Sequence, residues 1–110
     1  MNITEEKKGE VVIVHLQGRL DANSSPAIES KINELTQAGS LKILIDMHDV
    51  DYLSSAGMRV LLSVTKKLKS VNGKLGVFAL TDDVMDIIKM AGFHQILFIA
   101  PSEEEAIKAL

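Results

Sequence analysis

Short apolar runs alternate along the chain with segments whose apolar residues recur at helical spacing. The runs predict buried strands over Val11–Leu16, Leu41–Met47, Lys74–Leu80 and Ile96–Ile99, and residues 1–6 form a candidate edge strand. Each gap between buried strands has room for one helix. Strands that alternate with helices predict an α/β fold with a mostly parallel sheet and right-handed crossovers.

Residues that suit helix ends mark where four helices begin and stop. The expected start residues are Ser25, Ser54–Ser55, Thr81 and Ser102. The expected stops are Gly39, Asn72–Gly73 and Gly92. The polar segments Gln17–Asn23 and His48–Ser54 are predicted loops that lead into the first two helices. The whole range 1–110 is therefore predicted to be one α/β domain with four to five strands and about four helices.

Composition excludes several classes of protein. The net charge of −3 argues against direct binding to nucleic acid, which usually needs a basic face. No apolar run approaches the roughly 18 residues of a membrane span, and the N-terminal residues lack the apolar core of an export signal. The chain has no cysteine, which excludes disulfides and thiolate chemistry. A cytoplasmic protein that binds neither nucleic acid nor membrane is expected.

Two polar segments lie at predicted junctions between a buried strand and the helix that follows it. One is Gly18–Asp21 and the other is Ser54–Ser55. Because parallel strands end at the same edge of a sheet, Asp21 and Ser55 are predicted to lie close together. Each feature also has a plain structural interpretation, a tight turn for Asp21 and an N-cap for the serines.

Catalytic and cofactor signatures are absent from the sequence. Ser55 is not in a Gly-x-Ser-x-Gly elbow, and nothing in the spacing of the three histidines makes them its partners. Neither phosphate-binding glycine motif occurs. The acidic loop Asp46–Asp51 is interpreted as a solvated surface loop rather than a metal site. We therefore expect no enzyme activity, no cofactor and no bound metal.

Three segments together resemble the STAS domain, and within it the bacterial anti-sigma-factor antagonists. They are Gly18-x-Leu20-Asp21, the strand Ile43–Asp46 and, above all, Tyr52–Leu61. The resemblance implies a small regulatory protein that binds a serine kinase, which also acts as an anti-sigma factor. It implies that the kinase phosphorylates one serine at the helix start, that the complex then dissociates, and that a metal-dependent Ser/Thr phosphatase reverses the modification.

The resemblance places the phosphorylated serine two residues before Gly57, which is Ser55. The residue before that serine is often Asp in the family and is Ser54 here; the residue after it is often Ser or Thr and is Ala56 here. Ser54 is therefore the second candidate for phosphorylation.

A partner-binding surface around this helix start is also implied, with a monomeric protein when the partner is absent. Its predicted residues are Asp21, Asn23, Ser24, Ser54, Ser55, Ala56, Gly57, Met58 and Arg59. Two alternatives remain open at this point: a STAS subunit of a membrane transport assembly that acts without a phosphorylation switch, and a sensor of a nucleotide or other small ligand.

Overall fold

A five-stranded sheet forms the centre of the protein in a computed structural model that describes Met1–Leu110. The strands lie in sequence order, with β1 antiparallel to β2 and the remaining pairs parallel. Their bounds are β1 Asn2–Lys8, β2 Val11–Leu20, β3 Lys42–Leu53, β4 Lys74–Phe78 and β5 Phe98–Ala100. The predicted edge strand at the N-terminus is therefore present and slightly longer than expected.

Four helices cover the sheet, three on one face and one on the other. Their bounds are α1 Ser25–Gln37, α2 Ser55–Ser70, α3 Asp82–Met90 and α4 Glu103–Ala109, and a single 3₁₀ turn spans Phe93–Gln95. None of the helices has the length and apolar character needed to cross a lipid bilayer. The predicted α/β fold with a mostly parallel sheet and about four helices is confirmed.

The sheet is buried on both faces, and strand β2 shows how. Val12, Val14 and Leu16 join the larger core of 22 buried residues beneath α1, α2 and α3. Val11 and Ile13 point the other way, into a smaller core of six buried residues that includes Ala106 of α4. Because successive side chains in a strand face opposite sides, an unbroken apolar run is what a doubly covered strand requires.

Strands β2 and β3 both extend beyond their predicted ends. Much of the predicted loop Gln17–Asn23 belongs to β2, and nearly all of His48–Ser54 belongs to β3. The two extensions pair with each other, with Leu20 opposite Leu53 and register shifts on either side of Gln17–Gly18. Their polar residues face outward, so pairing between distant segments, rather than a local apolar pattern, makes them strands.

Smaller corrections concern individual ends. The N-cap of α1 is Ser24, not Ser25, which is already the first helical residue. The last strand is Phe98–Ala100 rather than Ile96–Ile99, because Ile96 still closes the 3₁₀ turn. The predicted side-chain caps of α3 and α4 by Thr81 and Ser102 are confirmed.

Candidate functional site

The junction between β3 and α2 is held by Ser54. Its hydroxyl oxygen accepts a hydrogen bond from the Gly57 N–H at 3.1 Å, which makes it the N-cap of α2. Its own N–H donates to the carbonyl of Leu20 at 2.9 Å, and its carbonyl accepts from the Met58 N–H at 2.9 Å. The backbone groups and the hydroxyl of Ser54 are therefore all engaged in building the helix start.

Ser55 follows directly and differs from Ser54 in its environment. It is the first residue of α2, it is exposed, and its hydroxyl makes no hydrogen bond within the protein. The first N–H groups of a helix lack partners within the helix and carry the positive end of its dipole. Ser55 is thus a free hydroxyl beside a position that favours an anion.

Gly57 allows the first turn of α2 to pack against the end of β2. A Cβ atom at this position would lie 2.4 Å from the carbonyl oxygen of Leu20 and 2.8 Å from its Cγ. Such distances are far shorter than van der Waals contact, so only glycine fits without movement. The first turn of α2 is packed directly against the end of β2, as the unusual glycine in a helix suggests.

The loop after β2 is a closed network of hydrogen bonds. The Asp21 carboxylate oxygen Oδ1 accepts from the N–H groups of Asn23 and Ser24, at 3.0 and 3.2 Å. The Ser24 hydroxyl donates to the carbonyl of Arg19 at 2.7 Å, and the Ser25 hydroxyl donates to the carbonyl of Asp21 at 2.6 Å. This Asx-type turn consumes most of the polar groups of the loop.

The ends of β2 and β3 meet at one edge of the sheet through the hydrogen bond from the Ser54 N–H to the Leu20 carbonyl, as neighbouring parallel strands led us to expect. The closeness of Asp21 and Ser55 themselves stays a prediction. The predicted partner-binding residues divide by exposure. Asn23, Ser55 and Arg59 are exposed, Asp21, Ser54 and Ala56 are half-buried, and Ser24, Gly57 and Met58 are buried. The buried three can shape this surface but offer little of it to another protein, and the role of the whole set stays a prediction.

Arg19 and Tyr52 belong to this edge and were not among the predicted site residues. They pair across β2 and β3, and the guanidinium of Arg19 lies 4.1 Å from the centroid of the Tyr52 ring. Arg19 Nε is also 3.8 Å from Oδ2 of Asp21. Nothing in the sequence reveals the contact, because it depends on the register between two strands that were predicted to be loops there.

A groove of about 810 Å³ runs between α1 and α2 beside this edge. Pro26 and Glu29 line it from α1, and Ala56 and Arg59 line it from α2. Glu29 forms an ion pair with Lys67 of α2, with 2.9 Å between Oε1 and Nζ. Arg59 has no carboxylate within 4.0 Å, so its charge is uncompensated by an ion pair.

Titratable groups with a perturbed pKa lie elsewhere. On the α4 side of the sheet, His15 Nδ1 is 2.7 Å from Oδ2 of Asp46 and Nε2 is 3.2 Å from Oε1 of Glu6. Burial lowers the pKa of His15, but the two hydrogen bonds and the carboxylate charges outweigh burial and raise it above 6.5. No side chain that could act as a base is hydrogen-bonded to Ser55, and no cluster of three or more His, Asp or Glu residues is arranged to hold a metal ion.

Comparison with known proteins identifies the family. The family model of the STAS domain matches residues 2–106. The chain belongs to the STAS domain family. This confirms the family suggested by the residues around Ser55.

Two curated relatives span almost the whole chain. BtrV of Bordetella bronchiseptica, provisionally assigned as an anti-sigma factor antagonist, is 32% identical over 99% of this chain and 94% of its own. The anti-sigma-B factor antagonist of Bacillus subtilis is 23% identical over 98% of both chains.

The solved structure of SpoIIAA, an anti-sigma factor antagonist, shares the fold. In its unphosphorylated form it superimposes with a TM-score of 0.81 at 24% identity, over 98% of this chain and 95% of its own. Its phosphorylated form gives a TM-score of 0.73 at 23% identity. The STAS fold described above is therefore found in both states of SpoIIAA.

Proposed function

We propose that this protein is an anti-sigma-factor antagonist in a partner-switching pathway. It binds a serine kinase that doubles as an anti-sigma factor, and phosphorylation of Ser55 releases it. The family, and relatives named as antagonists that match over nearly their full length, support this proposal.

The observation that carries the proposal is the contrast between the two adjacent serines. The Ser54 hydroxyl caps α2 and its N–H holds Leu20, whereas the Ser55 hydroxyl is exposed and unbonded. A kinase must reach the acceptor oxygen and align it with a phosphoryl group, which Ser55 permits without breaking the helix start. Ser54 remains the second candidate.

A charge argument explains why modification would release the partner. Phosphoserine carries about −1.5 to −2 charges near neutral pH. At the start of α2 the free protein tolerates this charge, because the dipole and unpaired N–H groups favour an anion. In an interface the same charge must be desolvated or face like charges, at a cost of several kcal/mol. About 1.4 kcal/mol corresponds to each tenfold change in affinity, so loss of binding does not require loss of fold.

The partner would meet the exposed part of this edge. Its proposed contacts are Asp21, Asn23, Ser55, Ala56 and Arg59, with Ser24, Ser54, Gly57 and Met58 holding them in place. We also propose that the protein acts in the cytoplasm, is a monomer when free, and is dephosphorylated by a metal-dependent Ser/Thr phosphatase. It turns over no substrate and needs no cofactor.

The two alternatives make different predictions. A STAS subunit of a transport assembly would co-purify with a membrane protein whether or not Ser55 is present. A ligand sensor would bind a nucleotide at micromolar concentration. The uncommitted Ser55 hydroxyl favours the switch over both, since neither alternative requires a free serine at this point.

The first experiment uses Ser55→Ala as bait in a pull-down from the source organism, since this variant should hold its kinase without being released. The captured kinase is then incubated with ATP and the wild-type, Ser55→Ala and Ser54→Ala proteins, and intact mass is measured. We expect one phosphate on wild type and Ser54→Ala and none on Ser55→Ala.

Two results would overturn this assignment. A phosphate that persists in Ser55→Ala and vanishes in Ser54→Ala would move the site by one residue. If neither serine is modified, and Ser55→Asp binds the captured partner as wild type does, the protein is a constitutive binding module.

A further inference from the structure

Arg59 is the basic residue that stands nearest to Ser55 along α2. It follows Ser55 by four residues, which places the two side chains on one side of the helix, about one turn apart. Arg59 is exposed and lies beside Ala56 at the rim of the groove between α1 and α2. The neighbouring acid Glu29 is already paired with Lys67, and no carboxylate comes within 4.0 Å of Arg59.

The direction of the pair suits an acid–base contact. Side chains in a helix lean toward its N-terminus, which brings the first turn, where Ser55 lies, within reach of the Arg59 side chain. An acid that precedes a base by four residues is the more favourable order of such a pair. A guanidinium can bind phosphate oxygens through two parallel hydrogen bonds, which a single ammonium group does not match.

We propose that Arg59 is the internal partner of a phosphoryl group on Ser55. In the unmodified protein the guanidinium is unpaired and exposed. After phosphorylation it turns to the phosphate oxygens and forms an ion pair within the first turns of α2. The inference rests on the proposed phosphorylation of Ser55.

The pair would let phosphorylation change the partner-binding surface in two ways. It adds an anion at the helix start, and it engages the Arg59 guanidinium, which is then no longer an unpaired cation beside the groove. A partner that presents an acidic group to Arg59 would lose that contact and meet the phosphate as well. The modified protein, in contrast, gains a local ion pair that helps it to keep its fold.

The test uses the full chain with phosphoserine inserted at position 55 during translation, so no kinase is needed. Phosphorus NMR then gives the second pKa of the phosphate, near 6 in free phosphoserine. We expect Arg59→Gln to raise this pKa by about 0.3 unit or more, because the variant loses a cation that favours the dianion. Arg59→Lys should fall between the two.

Lys66→Gln is the matched control, since Lys66 is also an exposed base of α2 without an ion pair. It removes the same charge from the same side of the helix, but two turns and about 10 Å farther along. At physiological ionic strength the charge at that distance is largely screened. Its variant should shift the phosphate pKa by less than about 0.1 unit.

A second readout follows the arginine side chains directly. The chain contains only two arginines, so the spectrum of their Nε–H groups has two signals. Phosphoserine at position 55 should shift the Arg59 signal by more than that of Arg19, whose guanidinium already lies over the Tyr52 ring and whose Nε is 3.8 Å from Asp21. Equal phosphate pKa values in wild type and Arg59→Gln, or equal shifts in Arg59→Gln and Lys66→Gln, would overturn the inference. Neither result bears on whether a kinase modifies Ser55, which the mass measurement above decides.

Discussion

Two pairs of adjacent serines stand at equivalent places in this fold, Ser24–Ser25 at the start of α1 and Ser54–Ser55 at the start of α2. Both hydroxyls of the first pair donate to backbone carbonyls, and both residues are only 9% exposed. In the second pair Ser54 is similarly engaged, but the Ser55 hydroxyl is exposed and unbonded. The sequence shows a serine pair near the start of each of the first two helices. In the structure, only one of the four hydroxyls, that of Ser55, makes no hydrogen bond within the protein.

The difference arises from how each strand ends. After β2 the chain makes an Asx turn through Asp21, which folds back over both serines before α1 begins. After β3 there is no such turn, because Ser54 follows Leu53 directly and caps α2. The next residue, Ser55, is then carried outward by the first helical turn. A short junction thus leaves a hydroxyl in solvent where a longer turn would have covered it.

The largest effect that would sharpen this comparison is expected from Ser55→Asp. The carboxylate places a permanent charge at the free hydroxyl and should weaken binding of the captured kinase by about a hundredfold or more, since a like-charge contact costs several kcal/mol. Its fold should persist, because an acid at a helix start is neutral or stabilising by about 0.3–1 kcal/mol. Calorimetric titration and thermal melting measure the two effects.

Ser70→Asp is the control for Ser55→Asp, as it adds the same charge at the far end of α2. It should bind the kinase within about twofold of wild type, since the added carboxylate lies roughly 22 Å away. Equal weakening by both variants would mean that net charge, not position, governs binding, and the contrast between the serine pairs would lose its functional meaning.

Gly57→Ala tests whether the two junctions depend on each other. In an ordinary helix the change would stabilise by up to about 1 kcal/mol. Here the added Cβ meets the carbonyl of Leu20, so we expect a loss of about 1–3 kcal/mol in the free energy of unfolding, as in an overpacked core. Denaturant unfolding measures it, with Ala56→Leu as a control of the neighbouring, less confined position. A stabilised Gly57→Ala would show that the junctions are not in tight contact.

Much of this arrangement could be predicted from the sequence, and the parts that could not share a cause. The buried strands and the caps at Thr81 and Ser102 follow from local apolar pattern and residue chemistry. The extensions of β2 and β3 could not be predicted, because Leu20 and Leu53 become strand residues only by pairing with each other.

The serines show the same limit. The sequence indicated that a serine caps each of the first two helices. It wrongly favoured Ser25 over Ser24 for α1, and it did not choose between Ser54 and Ser55 for α2. A shift of one residue moves a side chain by about 100° around a helix, which separates an engaged hydroxyl from a free one. Ser55 was identified as the phosphorylation candidate by resemblance to a family, and the structure supplies a physical reason why its hydroxyl is accessible.

Alanine substitution of each serine should rank the four hydroxyls by how much their hydrogen bonds contribute to the free energy of unfolding. Ser54→Ala removes the cap of α2 and should cost about 1 kcal/mol of unfolding free energy. Ser24→Ala and Ser25→Ala each remove a nearly buried hydrogen bond and should cost about 0.5–1.5 kcal/mol. Ser55→Ala should stay within about 0.5 kcal/mol of wild type, as an exposed, unbonded group does. If Ser55→Ala costs as much as Ser54→Ala, the two hydroxyls share the cap and Ser55 is not free.

The smallest expected effect is a pH dependence of stability that arises in β2 and β3, the two strands that lead into the serine pairs. His15 of β2 and Asp46 of β3 are joined by a 2.7 Å hydrogen bond between their side chains, and Glu6 of β1 contacts the same imidazole. Burial disfavours the charged imidazole, but the two carboxylates more than compensate, so the pKa of His15 is raised in the folded protein. The folded state therefore binds this proton more tightly than the unfolded state does.

The sign of the pH dependence follows from that difference. The stabilisation from protonated His15 is fully present below the unfolded pKa, near 6.5, and is lost as the pH rises through the higher folded value. The thermal midpoint of wild type minus that of His15→Gln should therefore fall as the pH is raised from about 5.5 to about 8.5, with the variant cancelling contributions from other groups. Because His15 is partly exposed, the change in thermal midpoint should be small.

The two serine junctions lie at the far ends of the same strands, so partner affinity should not change with pH in parallel with the thermal midpoint. If affinity and thermal midpoint changed together with pH, the strand pairing would control the Ser55 surface, and the free hydroxyl alone would no longer distinguish the two junctions.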